Sequence, residues 1–308
     1  MTGPVAAYLD GHADGRLHLQ HGPIDLVIGL DGSRDGAPAP ERETALRAHA
    51  FAMARRRFQS VLDELVGELP LLKMPVTATS PVPEGAIARR MHHAVLPFAA
   101  EHFITPMAAV AGAVADEMLA AMLSGLAPDE RPARLYVNNG GDIALHLGPG
   151  AGYRIAIARE DGADLGAFAI DAGSPVRGIA TSGRGGRSLS LGIADAVTVL
   201  AATAAEADAA ASIVANGVDL PGHPAVERRP ARSVVDGSDL GDLPVVTGLG
   251  RLDDDTVAEA LDAGADRAET LRRRGLIDRA ALFLRGQGRI VAPAASPALP
   301  KPETGHHA

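Results

Sequence analysis

The chain has 308 residues, of which 46% are hydrophobic and 22% charged, so it predicts one large domain or two lobes and excludes a disordered protein. It contains no cysteine, which excludes disulfides, cysteine-ligated zinc or iron–sulfur sites and a thiol nucleophile. The net charge of −9 and the aromatic content of 3% argue against binding to nucleic acids or to anionic membranes.

The N-terminal twenty residues show no basic segment followed by an apolar one, so no secretory signal is expected. The longest apolar stretch, about residues 106–115, is shorter than a helix that spans a bilayer. These two features predict a cytoplasmic protein.

The first third of the chain predicts short strands, one long helix and an extended connector. Residues 24–28 are typical of a strand, and residues 33–40 form a polar Gly/Pro loop. A helix is expected over residues 41–69 because apolar side chains recur every three to four positions. Those side chains are Phe51, Phe58, Leu62, Leu65 and Leu69. Prolines over residues 70–83 then predict an extended connector.

A second helix is expected to begin at Thr105, a good N-cap, and to end before Gly125. On this helix Ala109, Gly112 and Asp116 share one face. Because glycine is unfavourable inside a helix, Gly112 indicates that a ligand or another backbone comes close. Taken alone, Asp116 is better explained as the point where a tightly packed, buried helix reaches solvent.

A hairpin follows, with strands over residues 135–137 and 143–147 joined by the turn at residues 138–142. Glycine N–H groups at Gly140 and Gly141 can hold a phosphate, and the Asp142 carboxylate can orient a ligand or a metal-bound water. Taken alone, these residue types are those of an ordinary hairpin turn.

Further strands are predicted over residues 153–158, 167–171, 177–181 and 197–200. The loop after the third of these strands combines hydroxyl groups, glycine N–H groups and guanidinium groups, a set that suits a pyrophosphate. Its members are Thr181, Ser182, Gly183, Arg184 and Arg187. A solvated turn is the alternative.

A third helix begins at Thr203, which with Glu206 forms a capping box, and ends at Gly217. Asp208 and Ser212 are four residues apart on one face of this helix, so a carboxylate and a hydroxyl can reach the same hard cation. A carboxylate favoured by the helix dipole is the alternative for Asp208.

A fourth helix is expected over residues 255–274, and the Pro/Ala-rich residues 292–308 predict a disordered C-terminal tail after a single domain at residues 1–291. Strands come in runs with helices between them, which predicts an α+β fold with mostly antiparallel sheet. No P-loop, dinucleotide-binding glycine motif, HExxH or GxSxG motif is present.

These segments, in this order, resemble the UPF0280 family, a group related to the ApbE-type flavin transferases. The resemblance covers about residues 22–286, and it depends on the motifs PMAAVAGAVAD, YVNNGGDIALHL, VRGIATSG, RSLSLGIADAVTVLA, EADAAASIVANGVDL and GSDLGD. It implies an ApbE-like fold of antiparallel sheets packed with helices, with two lobes in one compact unit.

The similarity to ApbE proteins also implies site residues. Their glycine-rich helix matches residues 105–116 without a gap, with Gly112 and Asp116 conserved in type and with Ala111 in place of a lysine. Their GGD turn matches residues 140–142, and their ATSG segment matches residues 180–183. The implied flavin-nucleotide contacts are Asp116, Gly140, Gly141, Asp142, Thr181, Ser182, Gly183, Arg184 and Arg187.

The ApbE metal helix resembles residues 205–212. This places Asp208 at the position of the metal-binding aspartate and Ser212 at that of the metal-binding threonine, while a third ligand, a backbone carbonyl, falls at Val110. The resemblance therefore implies binding of FAD and Mg²⁺, and transfer of FMN from FAD to an acceptor protein.

The histidine of the ApbE transfer machinery has no counterpart in residues 188–195, and the lysine is also absent. Two functions follow from this pattern. One is an ApbE-like enzyme that acts on FAD or a related nucleotide pyrophosphate with Mg²⁺. The other is a non-catalytic flavin- or nucleotide-binding protein that kept the fold and lost the transfer residues.

Overall fold

The structure is a computed structural model that describes residues 3–9, 15–32, 40–158, 164–186 and 188–293. Arg187, residues 33–39 of the predicted polar loop and nearly all of the predicted tail lie outside the described residues. The single domain over residues 1–291 therefore stays a prediction, as does the disorder of residues 292–308.

The strands follow one another along the chain as β1 (Val5–Tyr8), β2 (Leu17–His21), β3 (Ile24–Asp31), β4 (Arg134–Asn139), β5 (Asp142–Leu147), β6 (Gly152–Ala158), β7 (Asp164–Asp171), β8 (Gly178–Ser182), β9 (Ala196–Ala201), β10 (Val226–Pro230), β11 (Pro244–Leu249), β12 (Arg279–Leu284) and β13 (Gln287–Val291). The helices are α1 (Pro40–Gly67), α2 (Leu69–Leu72), α3 (Ala86–Val95), α4 (Val110–Leu123), α5 (Ala204–Ala215), α6 (Ala231–Val234) and α7 (Asp254–Arg273).

One nine-stranded antiparallel sheet organises the molecule, in the order β1-β2-β3-β4-β5-β8-β9-β12-β13. Helices α1, α4, α5 and α7 cover one face, and the β6–β7 hairpin covers part of the other. Successive side chains of the inner strands point to opposite faces of the sheet, as the pleat requires. The predicted α+β fold with mostly antiparallel sheet is confirmed.

The predicted helices are present, with two corrections. The helix expected over residues 41–69 ends at Gly67, and a separate turn of helix follows at Leu69–Leu72. Pro70 is accommodated there because the first turn of a helix does not need its N–H group. The connector expected over residues 70–83 is consequently extended only after residue 72, and α3 was not predicted.

One segment of the described chain, Pro106–Leu123, is long and apolar enough by length and composition to cross a membrane. The predicted apolar stretch ended at residue 115, whereas this segment extends to Leu123. The segment consists of a 3₁₀ turn, Pro106–Ala109, followed by α4, and α4 packs against α1, α5, β4 and β5. A core helix in a soluble protein meets the same criterion, so this finding is weak evidence for a membrane span.

Helices α4 and α5 cross at Gly112, as the glycine in this helix predicted. A Cβ at this position would lie 2.2 Å from the Ala204 carbonyl oxygen and 2.7 Å from the Ala205 nitrogen. Both contacts are with backbone, which has little freedom to move away. Residue 112 therefore sets how closely the two helices approach.

We expect Gly112→Ala to lower the free energy of unfolding by about 1–3 kcal/mol, and Gly112→Leu to lower it further, because the added atoms push the helices apart. Alanine is the better helix former by about 1 kcal/mol, so any loss in Gly112→Ala isolates the packing contact. The measurement is urea unfolding, with Ala120→Leu on the exposed side of α4 as the control. Equal stability of Gly112→Ala and the parent protein would contradict a tight crossing.

Candidate functional site

Three separated segments that carry candidate residues meet where α4 begins. They are the first turn of α4, the start of β5 with the end of β8, and the second turn of α5. The face of the sheet that packs against the helices includes Val137 and Ala144, so Asn139 and Asp142 project toward α4 and α5. The sheet and the two helices thereby place carboxylates from distant parts of the sequence side by side.

Asp208 lies at the centre of this cluster. One of its carboxylate oxygens accepts the Gly112 N–H at 3.0 Å, and the Ala111 N–H also donates to the carboxylate. Burial is the main cause that raises the pKa of Asp208 well above its usual value, and the Asp142 carboxylate is the second. The two N–H groups act in the opposite direction and lower this pKa. Two carboxylates in one partly buried position favour either a shared proton or a bound cation.

Asp142 joins the hairpin to β8. Its carboxylate oxygen Oδ1 accepts the Thr181 N–H at 3.2 Å, and the residue is buried. The Thr181 hydroxyl instead forms a hydrogen bond with the Thr198 hydroxyl at 2.9 Å. The structure thus brings Thr181 to the site through its backbone N–H, whereas its side chain is directed at the neighbouring strand.

The hairpin turn is shorter than predicted, since only Gly140 and Gly141 separate the two strands. Both have positive φ, 65° and 115°, which explains the glycines. The Gly141 N–H donates to the Asn138 side-chain oxygen at 2.8 Å. In this conformation that N–H group already has an acceptor and would have to exchange it to bind a phosphate.

Asp116 closes the opposite side of the helix pair. Its two carboxylate oxygens accept the N–H groups of Ala204 and Ala205, at 3.1 and 2.9 Å, which are the first two residues of α5. Burial raises the pKa of Asp116 to about 6, and the two N–H donors limit the rise. This position makes Asp116 a cap on α5, a role that sequence reasoning did not assign to it.

The glycine loop after β8 folds on itself. Gly183 is buried with φ 147°, the Arg184 N–H donates to the Ala194 carbonyl at 2.9 Å, and the Gly186 N–H donates to the Gly183 carbonyl at 3.2 Å. The Arg184 guanidinium pairs with the Asp195 carboxylate at 2.7 Å. Ser182 is half-buried at the end of β8, and Arg187 lies outside the described residues. The proposed phosphate clamp would therefore need Arg184 to exchange partners.

The remaining proposed metal ligands are less defined. Ser212 lies one turn after Asp208 on α5, and Val110 is the first residue of α4; both are half-buried. Within the described parts of the chain no recorded hydrogen bond joins either residue to Asp208. Their membership of the site stays a prediction.

Two contacts made by residues next to α4 were missed because the partners are distant in sequence. Asn139 is a buried amide in a strand; its Nδ2 donates to the Ala111 carbonyl at 3.1 Å and so holds the start of α4 against β4. The expected N-cap Thr105 makes no capping hydrogen bond with its side chain, because its buried hydroxyl donates to Asp239 at 2.5 Å. Asp239 belongs to the GSDLGD motif, which had no assigned role.

The donor set fits a magnesium ion that a nucleotide also binds. Mg²⁺ is commonly held by one or two carboxylates together with phosphate oxygens and water. Asp208 and Asp142 supply two such carboxylates, and in the residues that the structure describes no group of three or more His, Cys, Asp or Glu side chains could hold a metal. Two carboxylates are by themselves a partial coordination shell for Mg²⁺.

Comparisons with known proteins place this chain in a family. The model of the family described as "AbpE bacteria" matches residues 6–290. A UPF0280 protein of Methanopyrus kandleri is 34% identical over 168 residues, which is 54% of this chain and 63% of that protein. A UPF0280 protein of Methanosphaerula palustris is also 34% identical, over 51% of this chain and 63% of that protein. The chain thus spans somewhat under two thirds of each relative, and the predicted resemblance to UPF0280 proteins is confirmed.

Two solved structures also align with most of the chain. The flavin transferase ApbE from Vibrio cholerae has 15% sequence identity and a TM-score of 0.35, covering 94% of this chain and 97% of that one. The ApbE protein of Thermotoga maritima has 14% identity and a TM-score of 0.38, covering 94% and 97%. TM-scores of this size carry no functional inference on their own.

We expect Asp116→Asn to change how stability depends on pH. The folded-state pKa of about 6 lies above the usual 3.8, so the folded protein binds the proton more tightly. The contribution of Asp116 to the free energy of unfolding is therefore fully present below pH 4 and declines as the pH rises to about 6. Urea unfolding of both proteins at pH 4.5, 6 and 7.5 measures this.

The stability advantage of the parent protein over Asp116→Asn should accordingly be larger at pH 4.5 than at pH 7.5. At neutral pH the variant also loses one acceptor for an N–H group of α5, at about 1–3 kcal/mol. The exposed Asp236→Asn is the control and should leave the pH profile unchanged. A constant difference between parent and Asp116→Asn across this pH range would refute the assignment.

Proposed function

This chain belongs to the "AbpE bacteria" family, and we propose that it binds FAD, or a related nucleotide with a pyrophosphate, together with Mg²⁺ at the carboxylates of Asp208 and Asp142. The observation that carries the proposal is the pairing of these two carboxylates beside the N-terminus of α4. The proposal includes the cytoplasmic location expected from the sequence.

The environment of Asp208 supports a cation there. The groups that act on its carboxylate are the N–H groups of Ala111 and Gly112 and the carboxylates of Asp142 and Asp116. None of these groups is a cation, so the local excess of negative charge is balanced only in part by the helix N-terminus. Mg²⁺, when bound, would supply a Lewis acid that neutralises charge on the pyrophosphate oxygens.

Different residues would bind the metal, contact the phosphates and position α5. Asp208 and Asp142 would hold the metal, with Ser212 and the Val110 carbonyl as the further ligands that the ApbE resemblance implies. Ser182 and the glycines of residues 183–186, with Arg184 and Arg187, would contact the phosphates after Arg184 releases Asp195. Asp116 would act by fixing α5, and so the position of Asp208, rather than by touching the ligand.

The reaction that fits this site is phosphoryl transfer from FAD. An acceptor hydroxyl oxygen would bond to the phosphorus of the FMN half, the bond from that phosphorus to the AMP half would break, and AMP would leave with the electron pair. The hydroxyl proton would pass to a base. An acceptor protein is the expected partner in this reaction.

A non-catalytic flavin- or nucleotide-binding protein is the second candidate. The ApbE transfer histidine is missing from residues 188–195, and Ala111 stands where the lysine would be. In the loop at residues 183–186, the N–H groups of Arg184 and Gly186 and the Arg184 guanidinium are also engaged within the protein. Incubation with FAD and Mg²⁺ separates the two candidates, since AMP release supports the enzyme, and bound FAD without AMP supports the binding protein.

We expect Mg²⁺ to tighten FAD binding by tenfold or more in the parent protein and to have no such effect in Asp208→Asn. Asparagine keeps an oxygen for the Gly112 N–H and removes the charge, so it tests the metal while preserving the cap. Asp208→Ala should lose the magnesium effect too, and in addition about 1 kcal/mol of stability from the lost cap. Calorimetric titration of FAD with and without Mg²⁺ measures both.

The exposed Asp266→Asn on α7 is the matched control and should behave like the parent. If Mg²⁺ strengthens FAD binding equally in Asp208→Asn and in the parent, Asp208 serves only as a cap on α4. Absence of FAD binding by the parent protein, with or without Mg²⁺, would reject the proposed function itself.

A further inference from the structure

A second concave site lies away from the carboxylate pair, between α3, the start of α5 and the segment that joins α7 to β12. It encloses about 320 Å³, which is within the range of small-molecule sites. Its walls are apolar for the most part. The lining includes Ala94, Phe98, Val176, Ala202, Ile277 and the carboxylates Glu206 and Asp278.

This cavity is distinct from the Asp208 site although both use α5. Glu206 and Asp208 are two residues apart, so their side chains leave the helix about 200° apart. Asp208 points to the first turn of α4, while Glu206 lines the cavity. A ligand in the cavity would therefore sit on the other side of α5 from the proposed nucleotide.

The cavity combines an apolar wall with negative charge. Phe98, Val176 and Ile277 supply the apolar surface, and both charged side chains of the lining are carboxylates. Asp278 is paired with Arg279 at 2.5 Å. Within the described residues the Glu206 carboxylate accepts no hydrogen bond. The backbone N–H of Glu206 donates to the Thr203 hydroxyl. One carboxylate at an apolar pocket is thus left for a ligand.

Two arginines, Arg274 and Arg177, connect the segments around the cavity by hydrogen bonds. Arg274 links its two sides, because its guanidinium donates to the Pro97 carbonyl at 2.9 Å and to the Glu101 carboxylate at 3.2 Å. Arg177 fixes the segment below, donating to the carbonyls of Ser174, Val176 and Ala172 at 2.6–3.0 Å. Both guanidinium groups are occupied by these partners, which leaves Glu206 as the charged group without one at the cavity.

We propose that this cavity binds a small organic ammonium ion, a protonated amine with an apolar body, whose charge meets Glu206. The apolar body would contact Phe98, Val176 and Ile277, and the amine would donate hydrogen bonds to the carboxylate. Charge complementarity selects this class, because a carboxylate or phosphate ligand would meet like charge in an apolar setting. The proposal does not depend on FAD or Mg²⁺.

The test uses three probes of similar shape on the full chain without FAD or Mg²⁺: 2-phenylethylammonium, 2-phenylethanol and 3-phenylpropionate, titrated by ligand-observed NMR at pH 7. We expect the ammonium to bind at least tenfold more tightly than the alcohol, and the propionate to bind most weakly. In Glu206→Gln the ammonium should lose this advantage, while the fold is retained because the capping hydrogen bond at this position comes from the backbone N–H, which the substitution leaves in place.

Two further variants complete the experiment. Ala202→Leu, at an exposed residue on the cavity rim, should weaken all three probes by filling the space. Glu259→Gln, at an exposed carboxylate on α7, should change nothing. Equal affinity for ammonium and alcohol, unchanged ammonium binding in Glu206→Gln, or an equal loss in Glu259→Gln would each overturn the proposal.

Discussion

The rest of the site depends on an exchange of carboxylates between α4 and α5. Asp116, on α4, accepts the first two N–H groups of α5, and Asp208, on α5, accepts N–H groups in the first turn of α4. Each helix thereby satisfies backbone donors that have no partner within their own helix. The arrangement requires the helices to be almost in contact, which the absence of a side chain at Gly112 permits.

This exchange concentrates negative charge. The carboxylates of Asp116, Asp142 and Asp208 lie close enough that both neighbours raise the pKa of Asp208. The two helix N-termini offset part of that charge, since each carries a partial positive charge of about one half. What remains is a cluster that is stable as a fold and still favours an additional cation or proton. The same contacts therefore explain why the helices pack and why negative charge collects where they cross.

Local patterns in the sequence predicted individual helices and turns, and they did not predict the tertiary contacts between them. Thr203 and Glu206 marked the start of α5 correctly, and the glycines at 140 and 141 marked the hairpin, because capping and turn chemistry act over a few residues. The electrostatic interaction between Asp142 and Asp208 depends on strand order and on the helix crossing, which no local signal encodes. Thr105 shows the same limit, since its hydroxyl bonds to Asp239, 134 positions later, instead of capping its own helix.

The resemblance to ApbE proteins implied only a metal-ligand role for Asp208, whereas the structure shows that its carboxylate caps α4. These tasks constrain each other. The N–H groups that Asp208 accepts neutralise part of its charge, so capping α4 weakens the attraction of this carboxylate for a cation. The two carboxylates repel each other, and this repulsion acts on both. A cation at Asp208 would offset its negative charge and would therefore lower the pKa of Asp116. Ligand binding at Asp208 and ionisation of Asp116 are thus linked through one pair of crossed helices.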